Sequence, residues 1–327
     1  MANFKEEYKL TPLVVLAGPT AVGKSALAFH LARLLSTDII SADSAQVYRY
    51  LNIGTAKPTE FEQQEVNHHL IDLVNPDLPF SAADYQRAAQ RVINSLWEAG
   101  KLPFMVGGTG LYIRAVTDSY AFGKKGSSMP LREALSTEAE VKGLETLYNR
   151  LTEVDPAAAA RIHPNDRRRI IRALEVYILE GKPISEQVSG TECSGSPYLV
   201  KTFCLTMDRD ILYDRIERRV DQMLANGFLE EVKFLKQEGY NSEDPGMQIL
   251  GYRQLLNYLE STTTWDDTVA EIKKQTRNLA KRQLTWFRRI KDVTWLEANG
   301  EDNLLKNAEI ICNTVKELTP SRANYNF

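Results

Sequence analysis

The first third of the chain alternates between short apolar runs and longer amphipathic stretches. A short apolar run predicts a buried strand at residues 13–17, and further short strands are predicted at 38–41 and 102–106. Helical spacing of the apolar positions predicts helices at residues 25–35 and 81–99. Strands that alternate with helices are typical of a parallel sheet, in which ligands bind at the carboxyl ends of the strands.

The pattern changes after residue 120. Residues 123–128 (GKKGSS) and 190–197 (GTECSGSP) have the composition of flexible loops, and residues 200–205 form another strand-like run. Helices are predicted at 131–136, 141–154, 156–162 and 165–180, and most of 209–327 has a helical pattern. We therefore predict a mostly helical insertion, residues 123–198, within an α/β core of residues 1–122 and 199–327.

Charge is distributed unevenly along the chain. The 327 residues are 43% hydrophobic and 25% charged, which is ordinary for a globular protein, and the net charge of −3 does not by itself favour a nucleic-acid partner. Arginines nevertheless cluster at 167–169, and residues 273–291 contain eight basic side chains and no acidic one, interleaved with Trp286 and Phe287. Basic clusters with aromatic residues are candidate RNA-binding surfaces.

The cysteines and the hydropathy pattern bear on the compartment. Cys193, Cys204 and Cys312 are far apart and show neither disulfide-scaffold nor metal-binding spacing, which favours a reducing environment. The polar start and the lack of an apolar stretch of 18 residues indicate no secretion signal and no membrane span. We expect a cytoplasmic protein.

A phosphate-binding loop is the strongest motif. Residues 18–25, GPTAVGKS, match GxxxxGK[ST] between a predicted strand and a predicted helix. Glycines let backbone N–H groups approach an anion, and the helix directs its positive end there. Lys24 adds a charge and the Ser25 hydroxyl is a candidate Mg²⁺ ligand. The candidate phosphate-contacting residues are Gly18, Thr20, Ala21, Val22, Gly23, Lys24 and Ser25.

The ATP-binding motif is not accompanied by the acid that P-loop NTPases place at the end of an apolar strand. The strand at 102–106 ends in Gly107-Gly108-Thr109-Gly110, which contains no carboxylate. Asp43 follows the second strand, but small polar residues surround it, so a general base is as reasonable an interpretation as a metal ligand. Motor and switch proteins are therefore disfavoured, and the predicted fold class is an α/β, P-loop NTPase-like parallel-sheet core with a helical insertion domain.

Several further segments accompany this loop in a collinear order. They are ISADSAQVYR (40–49), IGTAKP (53–58), HHLID (68–72), VGGTGLY (106–112), HPNDRRRIIRALE (163–175), RIERRVDQML (215–224), QILGYR (248–253) and AKRQLTWFRR (280–289). Together with the phosphate loop they resemble the tRNA dimethylallyltransferase (isopentenyl-tRNA transferase) family of the bacterial MiaA type. The resemblance extends over nearly the whole chain.

The resemblance implies a prenyl transfer. The phosphate loop is expected to hold the diphosphate of dimethylallyl diphosphate, with Mg²⁺ on Ser25, and the N6 amine of adenosine 37 in tRNAs reading UNN codons attacks the allylic carbon. Asp43 is implied as the general base, Thr109 as the residue at the bridging oxygen, and Arg219, with Arg215 assisting, as donors to the leaving diphosphate. Because Arg215 and Arg219 are four residues apart on a predicted helix, they share one face.

The resemblance also implies an RNA surface. The target base is expected to be flipped into the site, with Gln46 and Arg253 as candidates for reading bases and the insertion clamping the anticodon stem-loop. The implied tRNA contacts are Asp43, Ser44, Ala45, Gln46, Thr109, Arg167, Arg168, Arg169, Ile170, Ile171, Gln248, Gly251, Tyr252, Arg253, Arg282 and Trp286. No membrane and no obligate protein partner are expected, and the chain is expected to act as a monomer.

Three alternatives remain open. A prenyltransferase acting on free AMP, ADP or ATP would share the phosphate loop and the base but would need no basic RNA surface. A P-loop small-molecule kinase is disfavoured by the missing acid and by the GGTG turn. An RNA-binding module with a purely structural phosphate loop would bind tRNA without any chemistry, and an Asp43→Ala variant that binds tRNA but loses activity would exclude it.

Overall fold

The computed structural model describes residues 10–118, 122, 128–189, 196–300 and 302–318. The predicted linker at 123–127, most of the loop at 190–197 and Cys193 lie outside these residues. The chain divides into two compact units, Met1–Val116 with Tyr198–Phe327, and Thr117–Pro197. In the described part of the chain, none of the helices combines the length and the apolar character that crossing a membrane requires.

The first unit is built on one parallel sheet. Its strands are β1 (Thr11–Ala17), β2 (Ile39–Ala42), β3 (His68–His69), β4 (Phe104–Gly107), β5 (Tyr198–Thr206) and β6 (Val293–Glu297). They lie in the order β3-β2-β4-β1-β5-β6, and each neighbouring pair is parallel. The carboxyl ends of β1, β2 and β4 therefore meet at one edge of the sheet, which is where parallel sheets bind ligands.

Fourteen helices are assigned within the described residues. In the first unit they are α1 (Lys24–Leu34), α2 (Glu60–Glu65), α3 (Ala82–Glu98), α4 (Gly110–Thr117, which ends at the boundary of the units), α10 (Arg209–Ala225), α11 (Phe228–Gln237), α12 (Tyr252–Leu259), α13 (Trp265–Phe287) and α14 (Asp302–Leu318). In the second unit they are α5 (Met129–Lys142), α6 (Leu144–Val154), α7 (Pro156–Ala159), α8 (Arg167–Glu180) and α9 (Ile184–Ser189).

Residues 13–17 of β1 are all apolar because both faces of the sheet are covered there. Leu13, Val15 and Ala17 point into one apolar cluster, which includes residues of α3, α11 and α12. Val14 and Leu16 point into a second cluster, which includes residues of α1, α10 and α14. A strand buried on both faces reads as an uninterrupted apolar run, which is why the sequence predicts it so clearly.

The predicted α/β, P-loop-like fold is confirmed, whereas two strands were not predicted. Strand β3 contains only His68 and His69, so no period-2 pattern exists to reveal it, and it lies at one edge of the sheet. Strand β6 lies within the segment predicted as mostly helical, at the other edge. Edge strands are short and half-exposed, and their pattern is correspondingly weak.

The second unit has its own apolar core, to which Leu147, Leu151, Ile170 and Leu174 contribute. One carboxylate is buried beside it. Glu175 is fully buried, and it accepts hydrogen bonds from Arg132 Nε at 2.9 Å, Arg172 at 2.6 Å and the Ser128 N–H at 2.8 Å. Burial raises the pKa of Glu175, but the hydrogen bonds from Arg172, Ser128 and Arg132 outweigh it, and the pKa is lowered overall.

Replacement of this carboxylate tests its contribution to stability. We expect Glu175→Gln to lower the free energy of unfolding by about 2 kcal/mol at pH 7, because two guanidinium groups lose their anion. Since the folded pKa lies below the unfolded value, the contribution is complete above about pH 4.3 and is lost as the pH falls through the folded value. Chemical denaturation of the whole chain at pH 7 and at pH 3.5 measures both effects.

The matched control is Glu140→Gln in the same unit. The Glu140 side chain is 65% exposed and pairs with Arg167 at 2.6 Å, so its removal should change the free energy of unfolding very little. Equal effects of the two substitutions would contradict the role given to Glu175.

Candidate active site

The phosphate loop leaves β1 and turns directly into α1. Gly18 and Gly23 have φ angles of +150° and +103°, and a Cβ atom on Gly18 would lie 3.0 Å from the Leu205 carbonyl oxygen. Gly23 is the N-cap of α1, and no side chain caps the first turn of that helix. The amides of the loop and the helix start therefore retain their capacity to bind an anion.

Lys24 occupies a poorly solvated position in this loop. Its Nζ donates a hydrogen bond to the Pro19 carbonyl oxygen at 2.6 Å. Burial and the neighbouring Arg219 guanidinium lower the pKa of Lys24 to about 8, against the opposing effects of Asp43 and Cys204. Burial in turn raises the pKa of the Cys204 thiol to about 12, so Cys204 is a neutral neighbour. An anion entering here would restore the full charge of Lys24.

Helix α10 brings two arginines to the same place. A Cβ atom on Gly23 would lie 3.8 Å from an Arg215 guanidinium nitrogen, so Arg215 lies over the loop. Arg219 is one turn further on, and burial lowers its pKa while the Asp43 carboxylate opposes that shift. Arg215 and Arg219 both line the cavity in front of the loop.

A cavity of about 890 Å³ opens in front of the loop. Its walls are the phosphate loop, the segment around Asn52–Glu60 and the face of α10 that carries Arg215 and Arg219. Lys57 also lines it, and its ammonium is bound to the Tyr48 carbonyl oxygen and the Asp72 carboxylate, both at 2.6 Å. Glu231 fixes this segment by accepting backbone N–H groups of Asn52 and Ile53. Positively charged side chains therefore line the cavity, and hydrogen bonds hold the wall that carries Lys57 in place.

Asp43 and Thr109 meet where β2 and β4 end. The Thr109 N–H donates to the Ala42 carbonyl oxygen at 3.1 Å, and the Thr109 hydroxyl accepts the Ser44 N–H at 2.9 Å. The Asp43 carboxylate accepts the Ala45 N–H at 2.8 Å, and among the described residues it forms no ion pair. A carboxylate held by one backbone bond has lone pairs left to take a proton.

Two stacked tyrosines lie near this carboxylate. The rings of Tyr85 and Tyr112 are 4.0 Å apart between centroids, and the Tyr85 hydroxyl donates to the Ser41 carbonyl oxygen. Burial raises the pKa of both phenols, and the negative charge of Asp43 contributes to each shift. Both hydroxyls therefore remain protonated, so neither tyrosine competes with Asp43 as a base.

Ser25 lines the cavity as an exposed residue at the start of α1. Among the described residues, no group of three or more His, Cys, Asp or Glu side chains is arranged to hold a metal ion. Mg²⁺ prefers oxygen ligands, keeps several waters and is often bound through substrate phosphates. The residues present are therefore compatible with a divalent cation that is held mainly by a bound phosphate compound, and the Ser25 hydroxyl is an oxygen available to it.

The candidate RNA residues fall into distinct structural classes. Arg253 and Arg282 are exposed in the first unit, and Arg168 and Arg169 are exposed in the second. Arg167 is engaged by Ser136 and Glu140. In each unit, the exposed arginines carry positive charge that can pair with the phosphates of a nucleic-acid backbone.

Other candidates are committed to the protein interior. The side chains of Ile170 and Ile171 belong to the core of the second unit, and Tyr252 is fully buried with its hydroxyl on Glu231. These three side chains are engaged in the protein interior, so any contact of these residues with tRNA would involve their backbone groups, and their place among the tRNA contacts stays a prediction. Gly251 is also buried and begins α12 at a φ of +94°.

Two glutamine candidates are tied by local hydrogen bonds. The Gln46 amide accepts the Ser41 hydroxyl at 2.8 Å and donates to the Ala56 carbonyl oxygen at 3.2 Å. Gln248 is exposed and donates to the Ser242 carbonyl oxygen. Base reading by Gln46 would require it to exchange these bonds.

One residue at the site was missed by sequence reasoning. Gln283 of α13 lies between the phosphate loop and the GGTG turn and bonds to both. It stands inside the AKRQLTWFRR segment, next to Arg282 and three residues before Trp286. Its neighbours suggested RNA binding for the whole segment, whereas the helical spacing could have separated the inward-facing Gln283 from the exposed Arg282.

Comparison with known proteins identifies the family. The family model described as IPP transferase matches residues 46–290. The tRNA dimethylallyltransferase of Syntrophobacter fumaroxidans is 49% identical over 90% of this chain and 86% of its own length. That of Roseiflexus castenholzii is 48% identical over 92% of this chain and 97% of its own.

Solved structures agree. The full-length tRNA isopentenylpyrophosphate transferase of Bacillus halodurans is 41% identical and matches 94% of this chain and 97% of its own with a TM-score of 0.69. A eukaryotic dimethylallyltransferase, captured acting on tRNA, is 27% identical and matches 97% of this chain and 81% of its own with a TM-score of 0.82. The resemblance drawn from the sequence motifs is confirmed, and the chain belongs to the IPP transferase family of tRNA dimethylallyltransferases.

Proposed function

We propose that this protein transfers a dimethylallyl group from dimethylallyl diphosphate to the N6 amine of adenosine 37 in tRNAs that read UNN codons. The observation that carries the proposal is that Lys24 and Arg219 line one cavity in front of the phosphate loop, while Asp43 follows strand β2 at the same edge of the sheet. Cations and a carboxylate together suit a reaction that expels an anion while it removes a proton. The names of the relatives support the same transfer to tRNA.

The cationic side of the site serves the leaving group. As the C–O bond to the allylic carbon breaks, its electron pair stays on the diphosphate. The loop amides, Lys24, Arg215 and Arg219 line the cavity where that charge develops, and preorganised donors of this kind stabilise the transition state. Mg²⁺ bound to Ser25 and the diphosphate would supply further neutralisation.

The carboxylate side serves the acceptor. An exocyclic adenine amine is a poor nucleophile, so removal of its proton as the new C–N bond forms accelerates the reaction. Asp43 is the candidate acceptor of that proton. Thr109, fixed through the Ala42 carbonyl oxygen and the Ser44 N–H, is the candidate donor to the bridging oxygen of the diphosphate.

RNA binding follows from the exposed arginines. A stacked adenine cannot present its amine to Asp43, so the nucleotide has to be flipped out of the anticodon loop. Arg253, Arg282 and Trp286 in the first unit, and Arg168 and Arg169 in the second, are the proposed contacts, with the second unit clamping the anticodon stem. Because one chain supplies each proposed group, we expect the protein to act as a monomer. We also expect it to act in the cytoplasm.

The direct test uses an unmodified tRNA with adenosines at positions 36 and 37. Incubation with dimethylallyl diphosphate and Mg²⁺ should add one dimethylallyl group to adenosine 37, detected by mass spectrometry. A tRNA with guanosine at position 37 should remain unmodified. Prenylated AMP beside untouched tRNA would instead assign the chain to the adenylate prenyltransferases, and phosphotransfer from ATP would revive the kinase alternative.

The general base is tested by Asp43→Asn, which keeps the size of the side chain and removes its basicity. We expect kcat to fall by about 10²- to 10⁴-fold while the Kd for tRNA stays within about twofold. Asp77→Asn, an exposed aspartate outside the site, is the control and should leave kcat unchanged. An Asp43→Asn enzyme with normal kcat would exclude Asp43 as the base.

The pKa of Lys24 gives a pH dependence of binding. In the free protein Lys24 is cationic below about pH 8 and neutral above it, so the affinity for inorganic diphosphate should fall as the pH rises past 8. Calorimetric titration between about pH 6.5 and 9.5 measures this fall. Lys24→Arg, which stays charged throughout, reports the titration of the ligand itself. Identical pH profiles for the two proteins would contradict the assignment.

A further inference from the structure

Gln283 bridges the two loops of the site. The Thr20 N–H of the phosphate loop donates to Gln283 Oε1 at 2.9 Å, and Gln283 Nε2 donates to the Gly108 carbonyl oxygen at 3.0 Å. A Cβ atom on Gly108 would lie 2.4 Å from Nε2, so the amide rests directly on the backbone of the turn. Both polar ends of the side chain are engaged with backbone groups more than 170 residues away in sequence.

The bridge connects the leaving-group side to the acceptor side. Thr20 belongs to the loop proposed to hold the diphosphate, whereas Gly108 directly precedes Thr109. Thr109 in turn is bonded to Ser44 and to the Ala42 carbonyl oxygen, next to Asp43. Hydrogen bonds thus connect the phosphate loop through Gln283 to Gly108, and the peptide bond to Thr109 continues this path to the segment that carries the base.

Helix α13 holds Gln283 in a fixed place. Ala280 and Phe287, on either side of it along the helix, are fully buried. Trp286, one turn further on, packs against the same turn, since a Cβ atom on Gly110 would lie 2.1 Å from the Trp286 ring. The helix therefore contacts the GGTG turn at two successive turns of its own, which limits how far Gln283 can move.

We propose that Gln283 is a positioning residue of the prenyl transfer. It sets the distance between the phosphate loop and the GGTG turn, so that the departing diphosphate and the attacking amine are held in line. The proposal rests on the proposed function. Glutamine suits this role because its amide both accepts and donates at the reach required, which methionine, glutamate and lysine do not. A misalignment of the two sides affects the transition state more than the binding of either substrate.

The test compares Gln283→Met with Gln275→Met in the prenyl-transfer assay. Gln275 lies two turns earlier on the same helix and bonds only within it, to Glu271, among the described residues. We expect Gln283→Met to lower kcat about tenfold, with the KM for tRNA and the thermal unfolding midpoint unchanged. Gln275→Met should match the wild type in each of these quantities.

Gln283→Glu is the second variant, because it has nearly the same shape and still accepts the Thr20 N–H. It places a carboxylate oxygen against the Gly108 carbonyl oxygen and should lower kcat at least as far. A wild-type kcat in either Gln283 variant overturns the positioning role. A lower kcat matched by a lower unfolding midpoint in both variants also overturns it, since the residue then only stabilises the fold. An inactive wild-type protein would instead reject the proposed function itself.

Discussion

The rest of the site depends on the burial of positive charge in the space in front of the phosphate loop. Lys24 and Arg219 both line this space and burial lowers the pKa of each, while the nearby Asp43 carboxylate opposes that shift. Without a bound anion, the repulsion and burial of these cations are unfavourable. The surrounding structure holds the groups in place: α10 carries Arg219, β1 leads into the phosphate loop, and β2 ends directly before Asp43. Folding already brings these cations together, so the site needs no reorganisation to bind a negatively charged ligand.

Much of the core was predictable because both faces of the sheet are covered. Strands β1, β2 and β4 consist mostly of apolar residues, and the phosphate loop stands between an apolar strand and a helix. Strands β3 and β6 escaped prediction for the opposite reason: one has two residues, and the other is half-exposed at an edge. Helix α5 was predicted too short, because Val141 was assigned to the following helix, whereas α5 ends at Lys142 and α6 begins after Gly143.

The site was predictable where residue type determines the chemistry and less so where geometry does. A lysine in a phosphate loop and two arginines four residues apart predict an anion-binding site from sequence alone. Gln283 gives no such signal, because a single glutamine in a basic helix has the same appearance whether it faces water or bridges two loops. Ile170 and Tyr252 show the converse, since a motif groups buried supports with the exposed arginines beside them.

The self-contained core of the second unit has an evolutionary consequence. Leu147, Leu151, Ile170 and Leu174 pack among themselves, and Glu175 is neutralised by arginines of the same unit. Selection can therefore alter the arginine-rich start of α8 without disturbing the phosphate loop. Changes at the exposed arginines of α8 and changes at the phosphate loop thereby fall in separate compact units of one gene product.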